Sequence, residues 1–293
     1  MCINPQKAYQ LHAGQKPIFI LDKFLTYYKD DYGRLPTWQE IEDCTIYLKC
    51  DSCKECLESQ AIEWAYRIMD ESRYYSDNCV ITLTYDNENV TEGLLIKEYQ
   101  DFLKRYRKKL SPKRIRYFIS GEYGSKKLRP HFHLIVFGHC PTDLKWHHKN
   151  KQGRDIFTSK EVADVWDRGF VSVDRLTFDS AKYSAKYMQK ALKEFAEENH
   201  LQAPFIRMSL KPGIGLRKED IPADKIRDDK IYHNGKSIKL PRYYLKLMEA
   251  NGVDLTLLRS RRRNTAKLSN RVIDERDFEK NARFFGKHLD NQH

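Results

Sequence analysis

The chain has 293 residues and is basic, with 53 lysines and arginines against 41 acidic residues and a net charge of +12 at pH 7. Its length suits one good-sized domain with appendages, and no apolar run approaches the roughly eighteen residues that a transmembrane helix needs. The first residues lack the basic-then-apolar pattern of a secretory signal, so we expect reduced thiols or metal ligands among the seven cysteines. The positive field favours a polyanionic partner, and 18 tyrosines and 14 phenylalanines suit stacking of unpaired bases.

Three regularly spaced cysteines mark the N-terminal region. Cys50, Cys53 and Cys56 form a Cys-x-x-Cys-x-x-Cys run, and either Cys2 or Cys44 would supply a fourth thiolate for tetrahedral zinc. No second clean cysteine or histidine pair completes the site, so a structural Zn²⁺ and a set of reduced structural cysteines both remain open. A zinc ion here would be structural and remote from any catalytic centre.

Hydrophobic periodicity predicts the later elements in chain order. They are a helix over 55–72, a strand over 79–85, a helix over 94–110, strands over 114–120 and 131–138, a helix over 158–167, a strand over 170–176 and a helix over 179–198. The order β-α-β-β-α-β is a split-βαβ layout. We therefore expect an α+β fold, with an antiparallel sheet backed by helices and one solvated face, and a helical cysteine-containing N-terminal extension.

The division of the chain follows from the same pattern. We expect an N-terminal cysteine-containing region with an insertion over 1–75, a central domain over 76–215, and a basic C-terminal region of open role over 216–293.

Two histidines flank one phenylalanine in the predicted strand over 131–138. Successive side chains of a strand point to opposite faces, so His131 and His133 share one face while Phe132 turns toward the core. Two imidazoles about 7 Å apart at their Cα atoms can close on one divalent ion. The alternative is a half-buried strand with a wet, histidine-bearing face.

The predicted helix over 179–198 has two tyrosines one turn apart. Tyr183, Lys186, Tyr187 and Lys190 share a face opposite the apolar stripe. That stripe consists of Ala181, Ala185, Met188, Ala191, Leu192 and Phe195. A lysine beside a phenol favours the phenolate and can hold a DNA phosphate. The alternative is an ordinary solvated Tyr/Lys face.

Metal ligands combined with tyrosines indicate phosphodiester chemistry. A divalent ion polarises a phosphate, and a tyrosine oxygen attacks phosphorus to leave a 5′-phosphotyrosine and a free 3′-OH. The new bond preserves the energy of the phosphodiester, so strands can be rejoined without ATP. The sequence contains no Gly-x-x-x-x-Gly-Lys-Ser/Thr phosphate loop, so we expect unwinding and synthesis to depend on a host helicase and polymerase.

The order of these motifs resembles a known superfamily. His131-Phe132-His133 followed by Tyr-x-x-Lys-Tyr-x-x-Lys is similar to the HUH endonucleases of the two-tyrosine rolling-circle type. More narrowly, the chain resembles the replication initiators of Microviridae, small single-stranded DNA bacteriophages. Further similar segments, from the start to about residue 215, are the Met1-Cys2 start, the cysteine run, 80–86, 121–124, 129–131 and 208–215.

The resemblance implies a metal-dependent DNA nickase and strand transferase that starts rolling-circle replication in the host cytoplasm. Its partners would be single-stranded and origin DNA, with no membrane. His131 and His133 would hold Mg²⁺ or Mn²⁺, to which oxygen and imidazole ligands are suited. Glu122 is the expected third ligand, since its strand would pair with that of His131 across a hairpin.

The same resemblance implies roles for the tyrosine helix. Tyr183 and Tyr187 would be the nucleophiles, and Lys186 and Lys190 would position phosphate or stabilise the phenolate. Two alternatives remain: another HUH enzyme, such as a transposase or plasmid relaxase, and a non-catalytic, zinc-stabilised nucleic-acid-binding protein.

Overall fold

The computed structural model describes residue 2 and residues 4–124, 128–150, 153–186, 196–221, 227–233 and 235–268. The chain forms two compact units. One contains the described residues up to Cys56 and from Lys218 onward, and the other contains Leu57–Arg217. Within the described residues, no helix is both long enough and apolar enough to cross a membrane.

The helices and strands are named here in chain order. They are β1 (Gln6–Tyr9), α1 (Leu21–Tyr32), α2 (Trp38–Cys44), β2 (Thr45–Leu48), α3 (Lys54–Ser72), β3 (Asn78–Tyr85), α4 (Ile96–Leu110), β4 (Arg116–Tyr123), β5 (Pro130–Phe137), β6 (Lys145–Lys149), β7 (Asp155–Thr158), α5 (Lys160–Trp166), β8 (Gly169–Arg175), α6 (Phe178–Ala185), β9 (Phe205–Met208), β10 (Lys230–His233), β11 (Lys236–Lys239), α7 (Arg242–Glu249) and α8 (Thr256–Leu268).

A seven-stranded antiparallel sheet is the centre of the second unit, with strand order β6-β7-β8-β3-β5-β4-β9. This confirms the predicted α+β class, and the predicted β-α-β-β-α-β order corresponds to β3-α4-β4-β5-α5-β8. The hairpin β6–β7 and strand β9 were not predicted. Every residue of β6 is exposed, so its sequence has no apolar alternation to mark it as a strand.

Helices pack on both faces of the sheet. On one face α4 and α5 bury an aromatic core around Phe132 and Trp166. On the other face α3 and α6 cover one end of the sheet, with Ala65, Ala181 and Ile135 buried between them. The expectation of a fully solvated histidine face is therefore wrong: this face is open only beyond the end that α3 and α6 cover.

Two helix boundaries differ from the prediction. Leu95, expected on the inner face of its helix, is exposed and precedes α4 as its N-cap. Helix α6 begins one residue earlier than predicted, at Phe178, because Thr177 forms a capping box with Ser180. The described part of α6 ends at Ala185.

A buried carboxylate fixes the segment that leaves the sheet after β9. Glu71 of α3 is fully buried and forms ion pairs with Arg116 at 2.9 Å and Arg217 at 3.0 Å. The same carboxylate accepts a hydrogen bond from the backbone N–H of Gly215 at 3.1 Å. Arg67 donates to the carbonyl oxygen of Ile214 at 2.8 and 3.0 Å. These contacts hold the segment that resembles the family's motif over 208–215.

The first unit has its own small core. Strands β1 and β2 pair antiparallel, and the core contains Tyr9, Phe24, Tyr28 and Cys44. Phe24 and Tyr9 stack with ring centroids 5.0 Å apart. This aromatic packing is what the long segment before the cysteine run contributes.

Candidate active site

The two histidines and the glutamate converge on one point of the sheet. His131 and His133 share a face of β5, and Glu122 of β4 lies directly opposite His131 in the strand register. The Oε1 atom of Glu122 is 2.6 Å from Nε2 of His131 and 2.7 Å from Nε2 of His133. The predicted cross-hairpin pairing is therefore confirmed, and three atoms suited to bind a metal face one another.

Each imidazole is held through its other ring nitrogen. Nδ1 of His131 lies 3.1 Å from the carbonyl oxygen of Arg129, and Nδ1 of His133 lies 3.0 Å from Oγ1 of Thr82. A carbonyl oxygen only accepts hydrogen bonds, so Nδ1 of His131 has the proton and Nε2 of the neutral ring presents a lone pair. Metal-ligating histidines are oriented by such partners.

These three residues fit a divalent cation. A lone pair on Nε2 of His131 and a carboxylate oxygen at 2.6 Å repel each other unless a positive charge lies between them, either a proton or a metal ion. Glu122 is 2% exposed, and its Oε2 atom has no hydrogen-bond partner among the described residues. A carboxylate with two imidazoles is a donor set that Mg²⁺, Mn²⁺ and similar ions accept.

In the metal-free site, a proton takes the place of that charge. Burial by itself disfavours an imidazolium, but the hydrogen bond and the negative charge of Glu122 outweigh it and raise the pKa of His131 above its ordinary value.

Tyr183 lies beside this site. Its ring packs edge-on against that of His133, with 5.5 Å between the ring centroids, and its side chain is 44% exposed. The buried residues Ala181 and Ala185 anchor the opposite side of α6, as the predicted apolar stripe requires. Lys182, between them, pairs with Glu58 of α3. The helix thus presents a phenol toward the histidines.

The remaining residues predicted for this helix are only partly described. Lys186 is the exposed C-cap of α6. Tyr187 and Lys190 lie outside the described residues, as do Met188, Ala191, Leu192 and Phe195.

Thr82 is a site residue for which the sequence alone contains only a weak signal. It alternates with Thr84 onto one face of β3, a pattern equally expected of ordinary β-formers. The register places Thr82 opposite His133 and Thr84 opposite His131. Only pairing with β5 identifies Thr82 as the partner of His133.

Four cysteines of the first unit lie together. The sulfur atoms of Cys2, Cys50, Cys53 and Cys56 all lie within 4.8 Å of one another. Cys2, not Cys44, completes the set, because Cys44 is buried in the core with Phe24 and Tyr28. This arrangement matches the donor set of a tetrahedral zinc site.

One of these thiols is prepared to lose its proton. Burial alone would raise the pKa of Cys50, but hydrogen bonds from Ser52 and Cys53 outweigh it and lower that pKa to about 6. The thiolate is the form that binds metal, so Cys50 favours an ion at this position.

Comparison with known proteins agrees with the motifs. Residues 78–192 match a family of replication-associated proteins, described by the name ORF2. The replication-associated protein VP4 of Bdellovibrio phage phiMH2K is 32% identical over 205 residues, which are 67% of this chain and 65% of the relative. The replication-associated protein ORF2 of Spiroplasma virus 4 is 28% identical over 286 residues, 91% of this chain and 87% of the relative.

A third relative extends the pattern to another phage. The replication-associated protein ORF4 of Chlamydia phage 1 is 33% identical over 164 residues, 53% of this chain and 41% of the relative. The chain thus spans just under two thirds of the Bdellovibrio phage protein and less than half of the Chlamydia phage protein. No solved structure matches the chain. The resemblance indicated by the motifs is confirmed: the chain belongs to the family of bacteriophage replication-associated proteins.

Proposed function

We propose that this protein initiates replication of phage DNA by cutting one strand through a tyrosine nucleophile. The observation that supports this most directly is the position of Tyr183, whose ring packs against His133 while Glu122 and His131 converge on the same point. Family membership supports the replication role, and the site supplies the chemistry.

The three converging residues would hold a divalent cation. Glu122, His131 and His133 are its ligands in this proposal, and Mg²⁺ or Mn²⁺ suits them. When bound, the cation polarises the scissile phosphate as a Lewis acid. Thr82 and the carbonyl of Arg129 keep the Nε2 atoms directed at the cation.

The tyrosine exchanges one phosphate ester for another. The phenolic oxygen of Tyr183 or Tyr187 bonds to phosphorus, the bond from phosphorus to the 3′ oxygen breaks, and the phenolic proton ends on that oxygen. No oxidant or nucleotide is consumed, and the reverse reaction rejoins the strand. Lys186 and Lys190 would position the phosphate or stabilise the phenolate.

The partners follow from this reaction. Single-stranded and origin DNA are the substrates, in keeping with the net charge of +12. The reaction supplies a 3′-OH but no unwinding, so a host helicase and polymerase would act with the protein in the host cytoplasm. The four clustered cysteines would hold a structural Zn²⁺.

The test uses purified protein with labelled single-stranded DNA from the phage's own replicon, with Mn²⁺ or with EDTA, on a denaturing gel. We expect a slow-migrating protein–DNA adduct that requires metal, survives SDS and is lost in the Tyr183→Phe, Tyr187→Phe double variant. Binding without an adduct across origin-containing fragments would instead identify a non-catalytic DNA-binding protein. Joining of strands in trans on hairpin DNA would identify a transposase-like or relaxase-like enzyme.

A further inference from the structure

The open end of the sheet presents an exposed aromatic ring in line with the proposed metal site. The register places Glu122 opposite His131, His131 opposite Thr84, and Thr84 opposite Phe170. Directly paired residues share a face, so these four side chains form one row across β4, β5, β3 and β8. Two strand spacings, about 10 Å, separate the backbone of Phe170 from that of His131.

Phe170 stands apart from its neighbours in burial. Its side chain is 66% exposed, while Val171 and Val173 on the same strand are 8% and 1% exposed. The valines point into the core with α4 and α5, and Phe170 points to the opposite, open face. A large ring in water beside a polar row of side chains has apolar area left to bury against a ligand.

The backbone beside Phe170 allows little variation. Gly169 has φ of +142°, and a Cβ atom built there would lie 2.3 Å from the backbone nitrogen of Asp86. The close approach is joined by a hydrogen bond of 3.0 Å from that nitrogen to the carbonyl oxygen of Arg168. This contact fixes the start of β8 against the end of β3, so the ring of Phe170 has a defined place.

Two guanidinium groups lie at the same end of the sheet. Arg129 donates to the carbonyl oxygen of Tyr85, the residue after Thr84, and Arg168 precedes Gly169 with its side chain 39% exposed. Proteins that bind single-stranded nucleic acid combine such cations, which follow the phosphates, with aromatic rings on which unpaired bases stack.

We propose that Phe170 is a stacking platform for an unpaired base of the single-stranded DNA substrate, one or two nucleotides from the phosphate at the histidines. This inference rests on the proposed function, because the DNA strand must cross the same row of residues. The ring holds the base, and the strand is thereby placed with its phosphate toward Glu122, His131 and His133. Phe170 is a positioning residue in this role, not a catalytic one.

Affinity for DNA tests the platform separately from cleavage. The full-length Tyr183→Phe, Tyr187→Phe protein is titrated into a fluorescent single-stranded origin oligonucleotide with Mn²⁺ present. Adding Phe170→Ala should weaken binding about 5- to 150-fold, the range for losing one base stack. Phe170→Trp should restore it, whereas Phe170→Leu, which keeps apolar bulk without a π face, should not. Phe19→Ala, at a phenylalanine that is 54% exposed in the other unit, is the matched control and should bind normally.

Salt dependence and crosslinking separate stacking from other causes. The slope of log affinity against log salt should be the same with and without Phe170→Ala, because no phosphate contact is lost. DNA containing 5-iodouracil should crosslink to residue 170 at one position near the nick. If wild-type protein forms the covalent adduct while Phe170→Ala binds and cleaves normally, the platform is refuted and the nuclease stands. If no adduct forms in wild type but Phe170→Ala weakens binding, the nuclease is refuted and the base site stands.

Discussion

Thr82 and His133 lie directly opposite each other on adjacent strands, and Oγ1 of Thr82 is 3.0 Å from Nδ1 of His133. This contact orients the ring whose Nε2 atom points at Glu122. Partners of this kind typically change metal affinity by about 10- to 100-fold.

Thr82→Val should therefore weaken Mn²⁺ binding by about 10- to 100-fold while leaving the fold intact. The measurement is isothermal titration of the metal-free protein with Mn²⁺. Thr84→Val is the matched control: Thr84 faces His131, but Nδ1 of His131 bonds to the carbonyl of Arg129. Equal losses in the two variants would contradict the role assigned to the Thr82 hydroxyl.

Glu122→Gln should abolish the metal-dependent adduct, because the carboxylate is the charged ligand of the proposed site. We expect a loss of at least about 100-fold in adduct formation, comparable to or larger than the loss of a supporting contact. The gel assay with Mn²⁺ measures this. Glu88→Gln, at an exposed glutamate, should behave as wild type. Retained activity in Glu122→Gln would remove Glu122 from the site.

The same substitution has a separate effect on pH dependence in EDTA. The pKa of His131 is raised in the folded protein, chiefly because the contribution of Glu122 outweighs burial. The His131–Glu122 contact thus stabilises the metal-free fold at pH below about 6.5, the ordinary histidine pKa, and this stabilisation is lost as pH rises through the raised pKa. NMR titration should show His131 above the ordinary value in wild type and below it in Glu122→Gln, where burial acts unopposed. Unchanged titration would show that Glu122 does not hold the proton.

The histidine pair could be placed from sequence because one rule sufficed. Alternation along a strand put His131 and His133 on the same face, and the short connection to the preceding strand put Glu122 beside His131. Both predictions depend on local geometry alone. Helical periodicity, which is equally local, predicted the inner face of α6 through Ala181 and Ala185.

Residues paired through distant segments could not be found in this way. Phe170 was on a predicted strand, but its place opposite Thr84 depends on the pairing of β8 with β3, which are separated by four other strands and two helices in the chain. Cys2 and Cys44 were equivalent candidates by spacing. Only the packing of Cys44 against Phe24 and Tyr28 decides between them.

Glu71 should be among the most sensitive positions for stability. It is fully buried and pairs with Arg116 and Arg217. Glu71→Gln leaves both guanidinium groups without their counter-charge, and breaking a buried pair in this way costs about 3–5 kcal/mol of unfolding free energy. Urea unfolding measures it. Asp101→Asn removes an exposed pair with Lys97 and should cost less than about 1 kcal/mol. Similar costs for both variants would contradict the argument from burial.

Zinc content should distinguish the four clustered cysteines from Cys44. Protein expressed with zinc and passed over a chelating resin should retain about one Zn²⁺ per chain, because a structural site with four thiolates is closed. Cys53→Ser should lose the metal and unfold at lower temperature, since binding energy at such a site contributes to folding. Cys44→Ser should keep the full zinc content even if its melting temperature falls, because its thiol packs in the core and not in the cluster. Elemental analysis beside thermal melting separates the two effects. Loss of zinc in Cys44→Ser with retention in Cys53→Ser would reverse the assignment, and absence of zinc from wild type would leave the cluster as reduced thiols.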